Sequence, residues 1–296
     1  MTRLLPQRPC RIWPCCVGLL GVMSLANLVC QLGAAELASV LEKTGTIKHP
    51  PVAEASGLVA SRRHPGVLWT ICDSGNVAHL FAIDRTGKLL AEYRPDGAVN
   101  VDWESVALDD RGNLYIADVG NNLPLPLRWV CQVREPDPQQ AVTRGNAARA
   151  VQTIPVERTL YYRFPAEPFD VEGTFVLQGS LYLVSKAPRH TALYRLRLGE
   201  STEIQTVAKV CDVPAIATVT GADISPDGCR VALNSYREVV IFKLGRTGVM
   251  ALAGEPACRI PFRAPAVEGC AWDGDDLLLV SEDRSLYRVN PLAHKN

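Results

Sequence analysis

Short apolar runs punctuate the chain at regular intervals: LWTI (68–71), LYIA (114–117), LYLV (181–184), VALN (231–234) and LLLV (277–280). Each is too short for a helix and too continuously apolar for a strand with one wet face, so each reads as a strand buried on both sides. Turn sequences precede them, such as Asp110-Arg111-Gly112-Asn113 and Ser225-Pro226-Asp227-Gly228. Ahead of each turn lies another short apolar run, and behind each strand follow further runs such as Leu80–Ile83, Leu89–Tyr93 and Ala192–Leu196. After residue 40 no stretch keeps a helical period, which argues against a doubly wound α/β fold.

These runs belong to five aligned segments: 54–75, 102–120, 170–186, 218–235 and 266–283. A polar anchor followed by a small residue opens the inner strand of each: Ser56-Gly57, Glu104-Ser105, Glu172-Gly173, Thr220-Gly221 and Glu268-Gly269. The anchors are spaced by 48, 68, 48 and 48 residues. The excess in the long interval falls in residues 134–156, rich in Pro, Gln, Ala and Arg, which reads as an inserted loop or short helix. Four short strands in a WD40-like repeat of this length make the blade of a β-propeller.

The fold expected is therefore all-β: a single β-propeller of five four-stranded blades, with six as the alternative. The fifth repeat has only 28 residues after Glu268 and lacks its fourth strand. An unpaired edge invites aggregation. The stretch Thr44–Lys48 is therefore expected to supply the missing strand and close the ring.

Residues 1–35 are a different material. Arg3, Arg8 and Arg11 precede an uncharged, largely apolar stretch from Cys15 to Ala35, with no acid before Glu36. This describes a secretory signal peptide, the rival being an uncleaved N-terminal anchor. A propeller over 36–296 would then be secreted or periplasmic, with no membrane span once the signal is removed. The whole chain has 31 basic and 31 acidic residues. Without residues 1–35 it keeps 28 basic against 31 acidic. Neither balance favours nucleic acid, and a monomer is expected. Six cysteines lie beyond the signal, none in a C-x-x-C pair, and buried free thiols are favoured over disulfides.

In a propeller the first strand of each blade lines the central channel, and residues two apart face the same way. The anchors thus share a face with Glu54, Asp102, Asp170, Thr218 and Ala266. A second recurrent polar position ends each second strand: Asp73, Asp118, Lys186, Asn234 and Glu282. Together these converge on one channel mouth with many carboxylates and few cations. Such oxygen ligands suit Ca²⁺ or another divalent cation, with Glu104, Asp170, Glu172, Glu268 and Glu282 as the metal set. Asp73, Asp102, Asp118, Asn122, Lys186 and Asn234 are the set for a small polar ligand. The alternative is that the acids merely satisfy backbone N–H groups and water.

No H-E-x-x-H, G-x-S-x-G or G-x-x-x-x-G-K-[ST] motif occurs. Three functions stay open: a binding propeller, a metal-dependent hydrolase of phosphoesters or lactones, and a protein-interaction scaffold. In the hydrolase, Glu104 or Glu172 would be the base, and Lys186 or Arg237 would hold the anion.

EASGLVASRRHPGVLWTICDSG, NVDWESVALDDRGNLYIADVGNN and VTGADISPDG resemble secreted bacterial propellers of the broad superfamily of esterase-like phytases and gluconolactonase-like proteins. The resemblance covers most of residues 50–290. It implies an exported propeller whose site is acidic, metal-binding and central. Such relatives commonly have six blades, so five is a departure. Cys72 stands where similar proteins often carry a polar residue. The phytase metal-ligand pattern does not match residue by residue, so phytase activity does not carry over.

Overall fold

The computed structural model describes residues 40–139, 150–167, 169–200 and 203–289. The signal or anchor segment expected over 1–35 and residues 140–149 of the expected insertion lie outside them. The rest forms five sheets, one per repeat, whose core strands pair antiparallel. Strand β1 (Glu42–Thr46) precedes blade 1, made of β2 (Ala55–Ala60), β3 (Val67–Cys72), β4 (Leu80–Asp84) and β5 (Leu89–Pro95). Blade 2 contains β6 (Trp103–Leu108), β7 (Asn113–Asp118) and β8 (Arg128–Arg134). The short β9 (Gln152–Ile154) follows, and β10 (Val156–Arg163) completes blade 2. Blade 3 is β11 (Val171–Leu177), β12 (Ser180–Ser185), β13 (Ala192–Arg197) and β15 (Ala208–Asp212), with β14 (Gln205–Thr206) just before its last strand. Blade 4 is β16 (Gly221–Ile224), β17 (Arg230–Asn234), β18 (Glu238–Lys243) and β19 (Cys258–Pro261). Blade 5 holds β20 (Val267–Asp273), β21 (Asp276–Ser281) and β22 (Ser285–Val289).

The ring closes as the truncated fifth repeat requires. Strand β1 pairs antiparallel with β22, Glu42 opposite Arg288 and Thr46 opposite Ser285. This gives blade 5 its fourth strand. Next to β1, His49 Nε2 lies 2.8 Å from Glu92 Oε2, and His79 Nδ1 lies 2.7 Å from Glu92 Oε1. A buried carboxylate thus ties the closing segment to blade 1. His79 is half-buried because of this bridge.

The strands are buried on both faces because each blade is sandwiched between two others. One apolar cluster fills each of the five interfaces. Trp69, Ile71 and Tyr93 meet Trp103, Ile116 and Cys131 between blades 1 and 2. The neighbouring residues Ala107, Tyr115 and Ala117 face Val171, Leu181 and Leu183 of blade 3 instead. Period-two alternation therefore sends successive side chains to opposite neighbours, and both sets must be apolar.

Two departures from four strands per blade occur at the outer edges. Strand β9 adds to β5 in parallel, Tyr93 opposite Gln152, and β14 adds to β10 in parallel, Tyr162 opposite Gln205. Part of the expected insertion therefore extends blade 1. Among the described residues the one extended helical stretch is 3₁₀, Gly245–Ala253 between β18 and β19, with Leu252 buried. No helix of the described residues is long and apolar enough to cross a membrane. Cys72, Cys131, Cys211 and Cys270 are free and buried; Cys229, against expectation, is free and exposed, its Sγ donating to the Asp227 carbonyl at 3.4 Å.

Candidate functional site: the acidic channel mouth

The small residue after each anchor marks the place where inner strands approach most closely. A Cβ on Gly269 would lie 2.9 Å from the carbonyl carbon of Gly57, and one on Gly221 would lie 2.8 Å from the Cα of Gly269. Gly57 itself takes φ +71°, and a Cβ there would meet Ser105 Cα at 3.0 Å. At these glycines the inner ring leaves no room for a Cβ, while Ser105 fits its small side chain against Thr174 in blade 3, and the polar anchors sit just beside this level.

The ladder register slips at the same level. It shifts between Trp103 and Ser105, between Val171 and Gly173, and between Val267 and Gly269. The skipped residues are Glu104, Glu172 and Glu268. A bulge frees its residue from the ladder and re-aims its side chain. Three blades thus present a glutamate from a bulge, at a cavity of about 220 Å³ lined by Ser56, Asp73, Glu104, Glu172, Lys186, Tyr236, Glu268 and Glu282, among others.

Two groups of carboxylates meet here. Oxygens of Asp73, Asp102 and Glu104 lie within 4.8 Å of one another, as do oxygens of Glu104, Asp170 and Glu172. Glu104 belongs to both. Two oxygens bound to one Ca²⁺ at 2.3–2.6 Å are at most about 5 Å apart, so either group is compact enough to share an ion.

The electrostatics follow from crowding. Burial, then the Glu172, Asp73, Asp102 and Asp170 carboxylates, push Glu104 up to about 11. Burial raises Glu172 to about 8 despite Lys186, and Glu268 to about 7 despite Lys186 and Tyr236. Asp73 and Asp170 are also raised, chiefly by burial. Lys186 Nζ donates to Glu172 Oε1 and lies 5.4 Å from the centroid of the Tyr236 ring. Burial pulls the Lys186 ammonium down, but Glu172 outweighs it and holds the ammonium protonated.

A second layer of hydrogen bonds holds the acids. Asn122 donates to both oxygens of Asp102, from its backbone at 2.6 Å and its side chain at 2.8 Å, and also reaches Ser74 Oγ at 3.1 Å. Gly120 packs against this pair: a Cβ there would fall 2.5 Å from the Asp102 carboxylate and 2.8 Å from Glu104 Oε1.

The sequence candidates divide into three groups. Asp73, Glu104, Glu172, Lys186, Glu268 and Glu282 line the cavity, with Asp102 and Asp170 in the carboxylate groups and Asn122 holding Asp102. Asp118 and Asn234 stand apart from the cavity lining. Asp118 is buried, accepts the backbone N–H groups of Val101 and Asp102 at 3.0 and 3.1 Å, and is pushed up to about 6 by burial. Asn234 is fully buried and donates to Thr220 Oγ1 at 2.8 Å, because it faces Gly221 directly across the ladder. Both therefore hold strands in place. Arg237 is exposed and does not line the cavity; Tyr236, one residue earlier, does. Sequence reasoning missed Tyr236, although an aromatic two residues past the recurrent polar position was a readable signal.

No family model matches the sequence, and no curated protein matches it. Among solved structures the chain is similar to a Myxococcus xanthus glutaminyl cyclase (TM-score 0.48, 14% identity, 84% of this chain and 95% of that one). It is also similar to a Staphylococcus aureus virginiamycin B lyase with quinupristin (TM-score 0.42, 13% identity, 83% and 68%) and to the WD40 β-propeller domain of Doa1 (TM-score 0.39, 11% identity, 85% and 70%). These three likenesses are too distant to bear on activity.

Proposed function

We propose that the protein is an exported propeller that holds a divalent cation, Ca²⁺ by ligand chemistry, at the acidic channel mouth and uses it to bind a small polar ligand. The observation that carries this reading is Glu104 shared between two carboxylate groups, each compact enough for one ion. Like charges buried together are costly unless protonated or neutralised by a cation. The all-oxygen donor set suits a hard cation. The cavity of about 220 Å³ suits a ligand of small-metabolite size. Export rests on the basic start and apolar run of residues 1–35.

A metal-dependent hydrolase is the second reading, favoured by one observation: Lys186 and Tyr236 stand beside the carboxylates and line the same cavity. Lys186 would hold the anionic part of a phosphoester or of an opening lactone. The cation, when bound, would polarise the reacting bond and acidify a water. A Ca²⁺ titration by calorimetry, followed by phosphoester and lactone substrates, separates the readings. Metal binding without turnover supports the binding propeller; metal-dependent turnover supports the hydrolase. Absence of both contradicts the two together and leaves the scaffold.

A further inference from the structure

A second concave region lies at the seam where the ring closes, between β1 with its following residues and the hairpin turn joining β4 to β5. This groove measures about 1080 Å³ and is lined by Lys43, Lys48, His49, Lys88, Thr44 and Thr86, among others. It contains no carboxylate among its lining residues. The turn at 84–88 is at the same end of blade 1 as the β2–β3 turn. The β3–β4 connection that carries Asp73 is at the other end, so the seam is remote from the acidic mouth.

The acids near this seam are already engaged. Asp84 Oδ1 accepts Thr86 N at 2.8 Å, Thr86 Oγ1 at 2.7 Å and Lys88 N at 3.0 Å, all within its own turn. Glu92 is taken by His49 and His79. Glu42 pairs with Arg288, and Asp283 accepts Ser281 Oγ at 2.5 Å and Ser285 N at 3.0 Å. Lys88 acts on Asp84 and Lys43 on Asp283 through space, each lowering the carboxyl, but no lysine of the groove closes an ion pair with these acids. Lys43 Nζ donates to a neutral hydroxyl, Ser285 Oγ, at 2.8 Å, and Lys48 and Lys88 form no ion pair among the described residues. Thr44 Oγ1, also on the groove, is shielded from solvent and has no hydrogen-bond partner.

The floor is rigid. Thr46 N donates to Thr86 O at 3.2 Å. A Cβ on Gly45 would fall 2.0 Å from Thr86 O, and one on Gly87, at φ +83°, would fall 2.6 Å from the Thr46 carbonyl carbon. Backbone meets backbone here, which fixes the three lysines on a preformed frame. In a chain with no net charge, three ammonium groups around one groove whose lining holds no carboxylate are a local feature. We infer that this seam is a binding site for a small polyvalent anion carrying phosphate groups, held by Lys43, Lys48 and Lys88. Its size exceeds that of a single phosphate, and lysine binds phosphate as a point charge, tolerant of geometry.

The test is calorimetric titration of the purified chain with tripolyphosphate in calcium-free buffer, with citrate as a carboxylate comparison. Binding of tripolyphosphate, tighter than citrate and weakened at least tenfold in Lys48→Gln/Lys88→Gln, is the expected result. The control Lys243→Gln, an exposed lysine on β18, should bind as the wild type does. Raising salt should weaken binding, as screening of exposed charges requires. No binding, equal or tighter binding of citrate, unaltered affinity in the double variant, or an equal loss in Lys243→Gln would each overturn the inference. Both lysines are exposed, so the variants keep the fold, and an unchanged melting temperature verifies it.

Discussion

Ser56 and Glu104 stand at the same position of successive repeats, 48 residues apart, and they touch. Ser56 Oγ donates to the Glu104 backbone carbonyl at 3.1 Å and approaches Glu104 Oε2 at 3.2 Å. The same separation joins Asn122 to Ser74, Arg62 to Asp110 and Arg63 to the Arg111 carbonyl. The repeat length is thus the contact length. Equivalent residues of neighbouring blades meet around the axis, which makes a ring of acids from a repeated acid.

Asn234 and Asp102 test the division between strand-holding and ligand-holding residues. Asn234→Ala removes a buried donor to Thr220 Oγ1, which keeps its own bond to the Val267 carbonyl, so the cost is that of one hydrogen bond, about 0.5–1.5 kcal/mol. Thermal unfolding should show that loss, while calorimetry should show cation affinity unaltered. A large fall in affinity would return Asn234 to the ligand set.

Gly120→Ala should do the reverse. Its backbone does not need glycine's conformational freedom, but its Cβ would press on the Asp102 carboxylate and Glu104. Displacing those oxygens should weaken cation binding about tenfold or more, with unfolding affected less than in Asn234→Ala. Unchanged affinity would mean that Asp102 and Glu104 hold no ion.

Closure by β1 should be essential to solubility. Removing residues up to Thr46 strips the partner from β22 and bares a strand edge. Size-exclusion chromatography should show aggregation or association, and the remaining monomer should melt lower. A monomer with wild-type stability would show that the fourth strand of blade 5 is dispensable.

Protons and cation should compete. Glu104, Glu172 and Glu268 have folded-state values raised to about 11, 8 and 7 from 4.5. A raised carboxyl favours the folded state fully below 4.5, where both states are protonated. As pH rises, the unfolded chain ionises first, so this contribution is lost progressively up to the folded value. Without cation, stability from these groups should therefore fall from about pH 4.5 upward, the Glu268 and Glu172 contributions being lost by about pH 7 and 8 and that of Glu104 continuing to fall toward about pH 11. Cation binding must expel the protons that remain, so affinity should rise with pH over the same range, by up to roughly tenfold per unit for each proton expelled. Calorimetry from pH 6 to 8 checks this, and a flat or falling affinity contradicts it.

Much of the architecture was legible because the repeat leaves marks that physics requires. The small residues after the anchors mark the narrow inner ring, and the five mostly apolar strands mark burial between two blades. The missing fourth strand of the last repeat pointed to β1. What was not legible depended on local register. Asn234 and Lys186 follow their anchors at the same distance, yet Asn234 is turned into the sheet. Its strand pairs Gly221 with Asn234 directly, without the bulge found at Glu172. The outer strands β9 and β14, with sequences QTI and QT, are too short to leave any periodic signal. The Glu92 bridge between His49 and His79 joins residues that no spacing relates.

The central claim is a cation shared through Glu104, and the most direct measurement is thermal unfolding with Ca²⁺ against chelator at pH 7.5, for the wild type and Glu104→Gln. A cation at a hundredfold excess over its Kd stabilises the folded state by about 2.7 kcal/mol. The wild type should melt several degrees higher with Ca²⁺ than with chelator. Glu104→Gln keeps the shape but removes the negative charge of the residue common to both carboxylate groups, and should lose most of that difference. Its chelated form should melt no lower than the chelated wild type, since a neutral amide replaces a crowded carboxyl. Equal melting of the wild type in Ca²⁺ and in chelator would contradict the account, as would a Glu104→Gln protein that keeps the full Ca²⁺ shift.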